Sequence, residues 1–113
     1  MTLSDLKVMF PNATEETWHQ HPNGGGWVQN TASVANTAWV GPDAQVSGNA
    51  WVSGDTIVSG NAWVSGNAWV SDAAIVSGNA WVSDAAQVSG DAIVSGNAQV
   101  SGDAVVSGGP TLW

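Results

Sequence analysis

The amino-acid sequence predicts an all-β fold: a parallel β-helix built as a triangular solenoid, 18 residues per coil and about five coils tall, with a short N-terminal helical cap. Three observations carry that prediction. Valine recurs at every sixth residue from Val28 to Val106, and Leu112 keeps the register. The position two residues earlier is small throughout: Ala32, Ala38, Ala44, Ala50, then Thr56, then alanine from Ala62 to Ala104, and finally Pro110. Each valine from Val46 to Val106 is followed by serine and then, in most repeats, by Gly-Asn, Gly-Asp or Asp-Ala.

Residues 1–26 do not follow the repeat and are expected to cap the N-terminal end, leaving residues 27–113 as the solenoid. Thr2-Leu3-Ser4-Asp5 has the spacing of a capping box, and Leu3, Leu6, Val8, Met9 and Phe10 suit a short apolar helix that Pro11 stops. A second short helix is expected to begin near Thr14, with Glu15 and Glu16 in its first turn. Gly24-Gly25-Gly26 then lets the backbone swing into the first strand.

From Trp27 onward each unit reads Ala-x-Val-Ser-Gly-Asn. Alternation along a strand points Ala and Val inward and x and Ser outward. The Gly-Asn pair turns the chain, because glycine adopts positive φ at little steric cost, and Asp72 and Asp84 stand where most repeats have that glycine. Three such units close one coil, and residues 18 apart stack. Stacking places Asn61, Asn79 and Asn97 in one corner column, able to pass hydrogen bonds along the axis, and Asp55 and Asp91 in another. Solenoids need caps because an open coil exposes unpaired strand edges. Gly109-Pro110 and Trp113 are expected to blunt the far end.

Repeats such as Val46-Ser47-Gly48-Asn49-Ala50-Trp51 resemble the hexapeptide motif of left-handed parallel β-helix proteins, the bacterial transferase hexapeptide superfamily. The resemblance covers about three quarters of the chain and implies a left-handed coil. The entry segment His21-Pro22-Asn23-Gly24-Gly25-Gly26-Trp27-Val28 is similar to that of uncharacterised, non-catalytic members from bacteria and phages.

Composition narrows the chemistry. The chain carries one lysine against nine acidic residues, a net charge of −8, which argues against nucleic acid and anionic membranes as partners. With no cysteine there is no disulfide framework and no thiolate metal site. The N-terminus lacks a basic region followed by an apolar run, so no export signal is expected and a cytoplasmic or virion-associated location follows. Acyltransferases of the resembled superfamily carry a general-base histidine and a loop that interrupts the coils, and its carbonic anhydrases need three histidines on zinc. Here the coils are uninterrupted and hold no histidine; His19 and His21 lie outside them. No catalysis, cofactor or metal is expected, and His19-Gln20-His21 reads as a polar part of the cap.

The outward x positions carry the functional signal. One face reads Trp27, Gln45, Trp63, Trp81, Gln99 (the Trp63 face), a second Ser33, Trp51, Trp69, Gln87, Val105 (the Trp51 face) and a third Trp39, Ile57, Ile75, Ile93 (the Ile face). Cross-rung stacking accounts for one aromatic column but not for apolar columns on three faces. The expectation is a structural, self-assembling module that packs through Trp39, Ile57, Ile75 and Ile93 first, then Trp51 and Trp69, with Trp27, Trp63 and Trp81 as further candidates. A homotrimer is the expected form and a filament its extended variant, as a phage virion or scaffold component. The alternative is carbohydrate or surface binding on a platform of Trp27, Trp63 and Trp81. Ice binding fits less well, because regular Thr-x-Thr arrays are absent.

Overall fold

A computed structural model of the chain describes residues 3–106 and 111–112. After a helix, α1 (Leu3–Met9), come a strand β1 (Trp18–Gln20), a strand β2 (Trp27–Gln29) and a series of two-residue strands at six-residue spacing from Ser33–Val34 to Thr111–Leu112. These strands stack into three parallel sheets, each of five rungs separated by four 18-residue steps. The register is the one the repeat requires: Trp51 pairs with Trp69, Trp63 with Trp81, and Ile57 with Ile75 and Ile75 with Ile93. The chain is thus a parallel β-solenoid. The last strand keeps the register, with Leu112 beside Val94. The expected blunting by Gly109-Pro110 and Trp113 lies outside the described residues.

Each coil bonds to the next at its sides and at its corners. Trp51 N–H donates to the Ala68 carbonyl at 2.9 Å and Ser53 N–H to Val70 at 2.9 Å, while at the corner Asn49 N–H reaches Gly66 at 2.8 Å. The interior is a column of buried Val and Ala, fully buried from Ala38 to Val94, with the partly buried Val34 at one end and Val100 and Val106 at the other. Thr56 is the inward polar exception, and its hydroxyl donates to the Ser53 carbonyl at 2.6 Å. A buried hydroxyl so satisfied avoids the penalty of an unpaired group.

The corners explain the two aspartates that replace glycine. Gly54 has φ +68°, and a Cβ there would sit 2.7 Å from the Asp72 carbonyl oxygen of the next coil. Asp72 and Asp84 nonetheless hold φ of 62° and 59°. Aspartate tolerates this region better than most residues. Each also gains a bond: Asp72 Oδ2 accepts from Gly90 N–H and Asp84 Oδ2 from Gly102 N–H, both at 3.1 Å. The asparagine corner forms the expected ladder, Asn61 Nδ2 donating to Asn79 Oδ1 and Asn79 Nδ2 to Asn97 Oδ1, each at 3.3 Å.

The N-terminal segment differs from expectation at one point. No helix forms near Thr14. Residues 14–17 make a turn in which Thr14 Oγ1 accepts from the N–H groups of Glu16 and Thr17. The chain then enters β1, antiparallel to β2, with His19 opposite Val28. Strand pairing and burial of Trp18 outweigh the local preference of a segment too short to propagate a helix. The following loop covers a second sheet edge: Val40 N–H donates to Asn23 and Gly26 N–H to Val40. Among the described residues no helix is long and apolar enough to cross a membrane.

Candidate functional surface

The three outer faces, alike in sequence, are unlike in the folded chain. On the Trp63 face the N-terminal segment lies over the first rungs. Leu6, Ala13, Trp18 and Trp27 form a small core of their own, with Phe10 packed against it. Phe10 meets Trp18 with centroids 4.8 Å apart and reaches on to Trp63, edge to face at 5.4 Å and 81°. Trp27 is therefore not part of an external surface: it is only 7% exposed, because α1 and β1 close over it. Gln45, the next x residue, is buried as well. Trp63 is half-buried, and its indole N–H donates to Ser47 Oγ at 3.3 Å. Trp81 alone of the expected Trp27-Trp63-Trp81 set is exposed, so the three do not make one platform.

The other two faces carry no such cover among the described residues. Trp51 and Trp69, 51% and 44% exposed, stack with centroids 5.1 Å apart and planes 13° from parallel. Trp63 and Trp81 stack likewise, at 4.9 Å and 6°. At that separation the two rings of each pair lie parallel and offset, each against its neighbour on the next rung. On the Ile face Trp39 and Ile57 are 43% and 39% exposed, and Ile75 and Ile93 are half-buried.

The two histidines do not converge. His19 is exposed, and its Nδ1 donates to Asn30 Oδ1 at 2.7 Å. His21 is buried, and its Nε2 donates to the Ala38 carbonyl at 2.8 Å, tying the cap to the first coil. Among the described residues no three His, Asp or Glu side chains are grouped as metal ligands would be.

Comparison with known proteins adds one finding. Residues 44–60, 58–72, 86–100 and 98–110 match the family model described as the YdcK Beta solenoid repeat. The chain is a β-solenoid repeat protein. No curated protein and no solved structure matches it. The matched repeats of this solenoid protein contain Trp51, Trp69, Ile57, Ile93 and the Asp55 and Asp91 corners, so its exposed columns are built on the repeat itself.

Residue-by-residue reading of the sequence missed Trp18, gave Phe10 a place in the cap helix but not its contact with Trp63, and put Gln45 outward where the fold buries it. The signal for Gln45 was present: a lone amide between Trp27 and Trp63 interrupts that column where the segment crosses it. For Phe10 and Trp18 no periodic signal exists, because neither belongs to the repeat.

Proposed function

We propose that this chain is a non-catalytic structural module that associates with copies of itself through a flat solenoid face, as a trimer or as a longer array. On this reading it is a left-handed member of the hexapeptide-repeat superfamily, of the kind that serves as a virion or scaffold component. The observation that carries the reading is the Ile face. Its in-register column of Trp39, Ile57, Ile75 and Ile93 runs beside the Asn61-Asn79-Asn97 ladder, a corner whose one carboxylate, Asp43, stands at the first rung of a chain of net charge −8. Two copies that meet along that edge bury apolar side chains while keeping most carboxylates apart. Four half-exposed side chains that each withdraw roughly 70 Å² contribute about 7 kcal/mol per copy at ~25 cal/mol per Å². That is comparable with the free energy that opposes association, so assembly should depend on concentration and strengthen as salt screens the charge.

The test is light scattering across a concentration series for the parent and for Ile57→Lys/Ile75→Lys. The expected result is an oligomer for the parent and an 11.5 kDa monomer for the variant. A parent that stays monomeric at high concentration and high salt ends this reading.

A further inference from the structure

The acidic residues are distributed unevenly over the three corners, and that distribution singles out the Trp51 face. Asp55, Asp72 and Asp91 stand where the rungs of Trp51, Trp69 and Gln87 leave this face. Asp84 and Asp103 stand where the rungs of Gln87 and Val105 enter it. All five are exposed, and they are five of the nine acidic residues in the chain. The Ile face has carboxylates along one edge and the asparagine ladder along most of the other. The Trp63 face is partly covered. The Trp51 face has the most carboxylates on its edges, five against four beside the Ile face; its uncovered column runs Trp51, Trp69, Gln87, Val105, with Asp55, Asp72 and Asp91 along one edge and Asp84 and Asp103 beside the last two rungs on the other.

We propose that the Trp51 face is a docking surface for a basic amphipathic segment of another protein, laid along the solenoid axis with its apolar side on Trp51 and Trp69 and its cations over the two rows of aspartate. A second copy of this chain is a poor occupant, because it brings one lysine and nine acidic residues. Nucleic acid is repelled by the same carboxylates. Geometry favours a helix: rungs repeat at about 4.8 Å, close to the ~5.4 Å pitch of an α-helix, so side chains one turn apart fall on successive rungs. On the neighbouring face the chain's own helical segment already packs on the solenoid wall, Leu6 in one core with Trp27 and Phe10, just past the end of α1, meeting Trp63 edge-on. Helix-on-groove recognition by anchors one turn apart is a recurrent way of binding a partner. This surface is separate from the Ile face and does not depend on self-association.

The experiment titrates the full chain into a fluorescein-labelled helical peptide of about 14 residues, with Leu and Phe on one side and Lys on the other, and reads anisotropy. A peptide with Glu in place of Lys is the charge control. Saturable binding of the lysine peptide is expected, at least ~10-fold tighter than the glutamate peptide and weakening with salt. Trp51→Ser/Trp69→Ser should remove it, whereas Trp81→Ser, an exposed tryptophan on another face, should leave it unchanged. Changing Asp55, Asp72, Asp84, Asp91 and Asp103 together to Asn keeps the corner conformation and should weaken binding about 10-fold, as expected for several exposed ion pairs. Circular dichroism on each variant verifies the fold. No saturable binding of the lysine peptide, equal binding of the glutamate peptide, or full binding by Trp51→Ser/Trp69→Ser overturns the proposal. Repeating the titration on Ile57→Lys/Ile75→Lys separates it from self-association, because docking should persist there.

Discussion

Replacing Val64 by aspartate places a carboxyl group at the middle of the valine column, between Val46 and Val82 on the adjacent rungs. Val64 is fully buried, and its surroundings are the Val and Ala side chains of the interior. Loss of the buried isopropyl group costs about 1.5–3 kcal/mol. A neutral carboxyl with no partner in that column costs a further ~1–3 kcal/mol. Keeping it protonated at pH 7, some three units above its unfolded pKa of about 3.9, adds roughly 4 kcal/mol. The total, on the order of 7–10 kcal/mol, rivals the whole stability of a domain this size. Thr56 escapes this fate because its hydroxyl donates to Ser53 within the same corner. The introduced carboxyl has a folded-state pKa raised above its unfolded value. It is tolerated best below about pH 4, and stability falls as pH rises from there, since the unfolded chain then binds fewer protons than the folded one. The assay is urea denaturation followed by far-UV circular dichroism at pH 7 and below pH 4, each against the parent. Val64→Ala serves as the volume control, expected to lose about 2 kcal/mol at both pH values. A Val64→Asp protein that melts within a degree or two of the parent at pH 7, or whose deficit ignores pH, refutes the reasoning.

Two further outcomes are expected. Deletion of residues 1–20 removes β1 from the edge of β2 and uncovers Trp27, Gln45 and Trp63, so the truncated chain should form polymers or aggregates that size-exclusion chromatography resolves; a dispersed, equally stable product contradicts the capping role. Asp72→Asn should be near neutral in thermal melts, because it keeps both the tolerance of positive φ and an acceptor for Gly90 N–H, whereas Asp72→Ala loses both and should cost about 1–2 kcal/mol.

The repeat was legible because every contact it makes is a translation of itself. In a solenoid, residue i touches residue i+18, so spacing alone places Val64 inside, Trp51 beside Trp69 and Asn61 beside Asn79, with no long-range choice to make. The positive φ at Asp72 was legible for the same reason, since the residue fills the glycine slot of its unit. What the sequence left open was the fate of the non-periodic residues. Thr14 to Gln20 carries acceptable helix signals, and only the edge of β2 and the burial of Trp18 turn it into a turn and a strand. Likewise Trp27 and Trp51 occupy equivalent slots, yet one is buried and the other half exposed. That difference is created by Leu6, Phe10 and Trp18, whose docking on one face is a tertiary event between a unique segment and a periodic wall. Periodicity thus determines the architecture and the composition of all three faces. Which face stays open depends on where the one irregular segment finds apolar surface to bury, and that is decided only when the chain is folded.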